Sequence, residues 1–377
     1  MRDALLNRLS DTPDLDLVVP DNALKSTRQL AQKHGGACVV LDEQRDMARL
    51  VLGGWTIDLA RQEGKTLEED LNRRDYRLNA IALTFDETPR LLDPTGGLED
   101  LQEARVAAVK EVNLQDDPLR LLRGLRLIAE LDMRLDAQTL KMLHHNRSLL
   151  PHAAPERIQA ELLRLVAAPA ADRAIATLLE LELLEPWTQL GSAASDQRPI
   201  GAEKTSELLT DSERQQALPL ARLARLLPDT GLKELRFSRR QLQRCERLRY
   251  WIQRSTASGG CPCPDALTEP ERLRLHMDLE QDLPALILTW PAALQQSWLE
   301  RWRDPQDPLF HPRPPLNGTD LQETLQISPG PTLGDLIQHL SLERAYGRVL
   351  TREQALNAAR SWLFHQEVQT DPDGSCD

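Results

Sequence analysis

The sequence predicts an α+β protein, in which a small mixed β-sheet is followed by an all-α remainder. Three observations predict it. Short β-rich runs are confined to the first ninety or so residues, at Asp16–Val19, Ala37–Leu41, Ala48–Leu52, Thr56–Ala60 and Ala80–Phe85. Beyond Leu92-Asp93-Pro94-Thr95-Gly96-Gly97 almost only helical periodicity remains. Leu, Ala, Arg, Glu and Gln dominate while aromatic residues make up 4%, a balance that favours helices.

Taken in order, the first segment (1–92) alternates strands with a helix over Asn22–His34, and Gly35-Gly36 and Gly53-Gly54 supply the turns. The second (93–187) carries two apolar helix stripes. One runs through Leu119, Leu122, Leu125, Leu127, Ile128 and Leu131, the other through Ile158, Leu162, Leu163, Leu165 and Val166. Pro/Gly-rich breaks at Thr256–Pro270 and Asp304–Pro315 divide the remaining helical chain. The second break separates a body (188–303) from a tail (304–370), and residues 371–377 read as a disordered acidic end. A chain of 377 residues exceeds the size one core usually reaches, so several compact units are expected. Trp298 and Trp302, four apart, are read as core.

No apolar stretch is long enough to span a membrane and no secretory h-region opens the chain. The five cysteines, Cys38, Cys245, Cys261, Cys263 and Cys376, are sparse and odd in number, which fits a reducing cytoplasm. The net charge of −12 argues mildly against a nucleic-acid partner. Phosphate binding, however, depends on local rather than global charge. The arginines cluster at Arg73-Arg74, at Arg120/Arg123/Arg126 and between Arg236 and Arg254.

Asp14-Leu15-Asp16 leads into a strand, and period-two alternation points both carboxylates the same way. Two close like charges repel unless a cation neutralises them. Asp58 lies in an otherwise apolar strand pattern, where an unpaired carboxylate is costly. If the two strands are neighbours, Asp14, Asp16 and Asp58 can clamp two Mg²⁺ ions about 3.5–4 Å apart, the arrangement that serves in-line displacement at phosphorus. Alone, Asp14 and Asp16 are equally consistent with a solvated acidic turn, and Asp58 with a strand-end side chain in water.

Several ordered motifs then carry a resemblance. Leu67–Ala80, LEEDLNRRDYRLNA, resembles the RRDFTxNA segment of the tRNA nucleotidyltransferase and bacterial poly(A) polymerase family, the class II CCA-adding enzymes. LDPTGGLEDL (Leu92–Leu101) resembles that family's DPFGGxxDL hinge and QDDPLRLLRGLR (Gln115–Arg126) its EDPxRxxRxxR helix. Asp14–Asp16 matches the catalytic DxD and Asp58 the third carboxylate. APERIQAELLRLV (Ala154–Val166) is similar to the neck helix, and Leu316–Asp320 with Pro329–Pro331 to part of the tail.

The resemblance implies a five-stranded nucleotidyltransferase head, then neck, body and tail. It implies template-independent addition of C, with A left open, to tRNA 3′ ends from CTP and ATP, with tRNA as partner and pyrophosphate released. It further implies that Arg2 and Asp3, Arg74 and Asp75, and Asn79 contact the nucleotide. It assigns base reading to Asp117 and Arg120, three apart on one helix face. An Asp accepting from the amine and an Arg donating to the ring nitrogen suit cytosine and adenine; uracil and guanine reverse the pattern, at a cost of about 1–3 kcal/mol per mismatch. Arg123 and Arg126 continue that ridge toward the triphosphate or RNA. Arg236, Arg239, Arg240 and Arg244 form a basic stretch expected to follow RNA phosphates.

The sequence departs from the pattern in four places. It begins inside the family's GGxVRD motif, so the head is expected to be N-terminally truncated and to lack the Gly-Gly pair that lets backbone amides approach a triphosphate. Asp116 replaces a Glu, and Tyr76-Arg77 replaces Phe-Thr. Only Ala60–Thr66 separates the third-carboxylate strand from Leu67, a short connection that resembles the CC-adding members. Two alternatives stay open: a poly(A) polymerase, and a catalytically impaired RNA-binding relative.

Overall fold

The computed structural model describes residues 1–9, 11–12, 14–188, 208–255, 264 and 267–370. It divides into two compact units, Met1–Pro186 and Trp187–Asp377.

In the first unit a short helix α1 (Arg2–Leu5) precedes β1 (Leu15–Val19), α2 (Ala23–His34), β2 (Ala37–Asp42), β3 (Met47–Leu52) and β4 (Trp55–Arg61). The four strands form one sheet in the order β1-β4-β3-β2, with β1 parallel to β4 and the other pairs antiparallel. Gly53 and Gly54 both have positive φ, which a two-residue hairpin turn requires, and this turn sets the β3–β4 register. Helix α2 covers one face. Its Ala23, Thr27 and Ala31, each four residues on, are buried. Ala23 and Ala31 form a core with Leu50 and Leu59, against which Leu17, Val19, Leu52 and Ile57 pack. Asp46, in the β2–β3 turn, caps α2 by accepting from the Ala23 and Leu24 amides at 2.9 and 2.8 Å.

The sheet has four strands among the described residues, where five were expected. Of the run Ala80–Phe85 only β5 (Ala82–Leu83) is extended. It pairs with β6 (Leu91–Leu92) as a separate ribbon instead of joining the sheet, its ladder continued by the Thr84 amide on the Arg90 carbonyl.

Helix α3 (Leu67–Asn72) is capped by Thr66. The Asp75–Arg77 segment then runs beside residues 107–109: Tyr76 bridges Ala108, Arg77 N–H donates to Ala107, and Val109 N–H donates to Asp75. Then come α4 (Gly97–Gln102), β7 (Arg105–Val106), α5 (Glu111–Asp116), α6 (Leu119–Leu131), β8 (Arg134–Leu135), α7 (Ala137–His145), α8 (Pro155–Ala167), α9 (Ala171–Glu180) and α10 (Glu185–Thr188). Helix α6 packs on α8 and α9 through the predicted leucine stripe, all of whose members are buried.

The second unit is helical: α11 (Asp211–Leu226), α12 (Asp229–Glu234), α13 (Arg239–Arg254), α14 (Glu269–Leu279), α15 (Leu283–Ile287), α16 (Ala292–Arg303), α17 (Gly318–Leu325), α18 (Pro331–Ala345) and α19 (Arg352–Thr370). Capping boxes at Thr210, Ser238 and Thr268 start three of these helices. Leu316, Leu321, Leu333, Leu336 and Leu340 form a core with Ala355 and Ala359. Trp298 packs against Trp290, His276 and Phe310, and the Trp302 indole donates to the Glu280 carbonyl. Most of the predicted linker Thr256–Pro270, and the acidic end 371–377, lie outside the described residues. No helix among the described residues is long and apolar enough to cross a membrane.

Candidate active site

Helix α2 takes one face of the sheet, so residues of opposite parity on β1, β4 and β3 project from the other. Asp16 stands in register with Asp58, and Asp58 with Arg49, in one row across three strands. Asp14 precedes Asp16 by two residues and acts on it electrostatically. Although Asp16 is exposed overall, partial desolvation by the surrounding atoms, and after it the negative charge of Asp58, pushes its carboxyl above the ordinary carboxylate range; Arg74 and the chain's N-terminal amine oppose the shift. The row therefore concentrates negative charge that a cation would relieve.

Arg49 supplies part of that relief. Its Nε and Nη2 donate to the two Asp58 oxygens at 2.7 and 2.9 Å, a bidentate pair. Among the described residues no three His, Cys, Asp or Glu side chains are grouped to hold a metal ion as they stand. The donor chemistry of Asp14, Asp16 and Asp58, carboxylate oxygens only, nevertheless fits Mg²⁺. Arg49 competes with a cation for the Asp58 carboxylate. Arg49 was missed from the sequence, although the Gly53-Gly54 turn makes its register with Asp58 readable.

A second group forms around Asp75, which is 5% exposed. Its Oδ1 accepts from the Tyr76 amide at 2.7 Å and from Asn79 Nδ2 at 3.1 Å. Its Oδ2 lies 3.3 Å from Arg123 Nη1. Asn79 Oδ1 in turn accepts from Arg2 Nη1 at 2.7 Å, and Arg2 also pairs with Asp3. The structure thus strings Asp3, Arg2, Asn79, Asp75 and Arg123 into one polar chain. Arg74 turns instead to the buried Asp70 at 2.8 Å, whose other oxygen accepts from the Glu63 amide, so the connection between β4 and α3 is fastened to the same helix.

Arg120 lies in the first turn of α6, but Asp117 stands in the extended link between α5 and α6 rather than on one helix face with it, because Pro118 starts the new helix. Arg120 Nη1 donates to the Arg73 and Asn113 carbonyls at 3.1 and 2.8 Å, while its buried Nε has no partner. Asp117 accepts from Arg157 on α8 at 2.8 Å, and the charge and hydrogen bond of Arg157 outweigh burial to hold its carboxyl below the usual range. No sequence signal pointed to Arg157, which lies forty residues away.

Arg126 departs from the expectation of a ligand contact. Its side chain is buried inside the α6–α8 packing, where it donates to Glu161 at 2.6 Å and Glu130 at 2.7 Å. Its turn of α6 faces the leucine core, so it serves as a buried ion-pair centre. In the second unit Arg236, Arg239 and Arg240 are exposed. Arg244 is held by Asp282 through two hydrogen bonds at 2.9 and 2.7 Å, which removes it from the basic row expected to follow phosphates. A concavity bounded by Glu111, Lys141, His144, His145 and Glu180 shares no residue with any of these groups.

Residues 1–107 match the family described as the poly A polymerase head domain. Residues 132–189 match the probable RNA and SrmB-binding site of polymerase A. The chain is 31% identical to the CC-adding tRNA nucleotidyltransferase of a Synechocystis strain, covering 96% of this chain and 91% of that protein. It is 30% identical to the A-adding tRNA nucleotidyltransferase of Deinococcus radiodurans, covering 93% and 91%. Among solved structures, its fold is similar to a CCA-adding enzyme in complex with ATP, with a TM-score of 0.73 at 20% identity, over 96% of this chain and 89% of the other. It is also similar to the Bacillus stearothermophilus CCA-adding enzyme in complex with CTP, with a TM-score of 0.68 at 22% identity, over 98% and 92%.

Proposed function

Because this chain belongs to the tRNA nucleotidyltransferase family, we propose that it extends the 3′ end of tRNA with C residues from CTP, without a template and with release of pyrophosphate. The observation that carries the reading is the in-register pair of Asp16 and Asp58 on the uncovered face of the sheet, with Asp14 beside it. Those three side chains would hold divalent cations. Bound there, Mg²⁺ would lower the pKa of the attacking 3′-OH and neutralise charge on the leaving pyrophosphate.

The rest of the chemistry falls to the chain's own groups. Arg2, Arg74 and Arg123 bring positive charge toward a triphosphate, each restrained by an acid or amide partner that fixes its direction. Asp75 and Asn79 orient the ribose. Asp117 and Arg120 read the base edge. Arg157 keeps Asp117 ionised and therefore an acceptor only, which favours the amino group of cytosine or adenine over the carbonyl of uracil. Exposed Arg239 and Arg240, together with Arg236, provide the phosphate contacts of the tRNA. tRNA end addition of this kind belongs to the cytoplasm, and we assign the chain there.

Addition of C rather than of a complete CCA is supported by the connection between β4 and α3. It comprises only residues 62–66, and it is tied down. Gln62 N–H donates to Val19, Glu63 N–H to Asp70 and Lys65 N–H to Glu69, and Thr66 caps the next helix. No length remains for the flexible loop that full CCA-adding members carry here. The deciding experiment incubates the protein with tRNA lacking CCA, and separately with tRNA ending in CC, using labelled CTP or ATP. Two CMP additions to the first and none of AMP to the second are expected. AMP addition to CC-ended tRNA alone would make it an A-adding enzyme, and long AMP runs would make it a poly(A) polymerase.

A further inference from the structure

Tyr76 is wholly buried and yet carries a hydroxyl where the family's motif has an apolar phenylalanine ring. That hydroxyl donates to the Arg120 carbonyl at 2.7 Å. Gly124, one turn further along the continuous helix α6, lies against the hydroxyl oxygen. The phenol therefore sits tightly against α6 between Arg120 and Gly124. Only glycine permits it, since a Cβ at position 124 would lie 2.1 Å from the hydroxyl oxygen and 2.6 Å from the adjoining ring carbon. Hydroxyl and glycine form a matched pair across 48 positions of chain, by their residue numbers.

The consequence falls on Arg120. Tyr76 grips its backbone carbonyl, while Arg73, three residues earlier in the same segment, accepts from its guanidinium at 3.1 Å. The base-reading arginine is thus held at both ends by the segment that also carries Asp75. We propose that the Tyr76 hydroxyl is a positioning group that sets nucleotide selectivity by fixing where Arg120 meets the base. The proposal rests on the reading that Asp117 and Arg120 recognise the base.

Tyr76→Phe removes only the hydroxyl and keeps the ring that packs against α6. Steady-state kinetics with CTP and UTP on tRNA lacking CCA, alongside thermal melting, test it. The expected result is a fall of about three- to tenfold in the ratio of kcat/KM for CTP to that for UTP, the range that one lost neutral hydrogen bond commands. The fall should be carried by KM for CTP more than by kcat, with melting changed by no more than a few degrees. Unchanged selectivity would overturn the proposal, and so would a collapse of the fold, which would make the hydroxyl a structural group. Arg120→Lys, measured in parallel, separates the two layers. Altered selectivity in Arg120→Lys but not in Tyr76→Phe sinks the Tyr76 proposal alone. Wild-type selectivity in both sinks the base-reading assignment beneath it.

Discussion

His276 should make the helical C-terminal unit acid-labile in a way that one substitution removes. Its side chain is fully buried on α14, stacked on Trp298 with ring centroids 5.4 Å apart and tilted against Phe310 at 4.2 Å. Neither ring nitrogen has a hydrogen-bond partner. Burial, with Arg301 and Arg272 adding positive charge and Asp307 opposing them, lowers its pKa from 6.5 to about 3. The folded state therefore refuses a proton that the unfolded chain accepts below pH 6.5. Stability from this group is complete above that pH and is lost as pH falls from 6.5 toward 3. Each pH unit in that window removes about 1.4 kcal/mol. At pH 5, about 1.5 units below the unfolded value, the penalty is about 2 kcal/mol. Urea unfolding at pH 7.5 and 5.0, compared between the parent and His276→Phe, isolates this contribution because the carboxylates common to both cancel. Trp187, Trp251, Trp290, Trp298, Trp302 and Trp362 all lie in this unit and Trp55 alone in the other, so tryptophan fluorescence reports the correct transition. The free-energy gap between the two proteins should shift by about 2 kcal/mol toward the variant at the lower pH. A gap that stays constant within about 0.5 kcal/mol would refute the argument that His276 is held neutral.

Other perturbations have equally definite outcomes. Asp16→Asn should abolish nucleotide incorporation while leaving tRNA affinity, read by filter binding, largely intact. Near-normal turnover would remove Asp16 from the reaction. Arg49→Gln frees the Asp58 carboxylate, so Mn²⁺ binding followed by electron paramagnetic resonance should tighten about two- to fivefold. The gain is modest because Arg49 is 42% exposed and its pair is partly screened. Arg126→Met takes from Glu161 the cation it holds at 2.6 Å and leaves Glu130 with Arg164 alone, and should cost on the order of 3 kcal/mol in chemical unfolding of the first unit. Gly97→Ala brings a methyl within 2.2 Å of the Arg77 carbonyl oxygen and should destabilise that unit by about 2–3 kcal/mol, seen as a lowered melting temperature.

What the sequence could disclose was local. Short β-rich runs identified the four sheet strands, and the Gly53-Gly54 turn makes readable which residue of β3 opposes which of β4, Arg49 and Asp58 included. The 3.6-residue stripe identified the buried face of α6, because a helix covering a core must be apolar along one side. Illegible were the polar contacts between segments far apart in the chain. Arg157 reaches Asp117 from forty residues away, Glu161 meets Arg126 from α8, and Asp46 caps α2 from across a hairpin. Each depends on how two elements pack, and nothing in local spacing records that. Arg126 shows the same limit from the other side. It lies on the ridge continued from Arg120 and Arg123, but the third step along that ridge has already turned into the α6–α8 core, where only a pair of glutamates makes a guanidinium tolerable.

The same contacts explain why the candidate site should respond to substitution as a unit. Asp75 has two oxygens and three partners on them: the Tyr76 amide and Asn79 donate to one, and Arg123 forms an ion pair with the other. Asn79 passes the restraint to Arg2, and Tyr76 passes it to the α6 backbone at Arg120. Residues assigned to triphosphate, ribose and base are therefore mechanically joined through one buried carboxylate. Removing Asp75 would not delete a single ribose contact. It would release Arg2, Asn79 and Arg123 together and leave the buried Arg123 Nε with still less to hold it. Effects of substitutions in this chain should consequently fall short of the sum of their parts, since the first loss already frees the partner that the second would remove. On the proposed reading, this is how a template-free site would hold a narrow choice of base: the groups proposed to read it are braced by the groups proposed to bind the sugar and phosphates, so the pocket could not relax around the wrong nucleotide without loosening its hold on the rest.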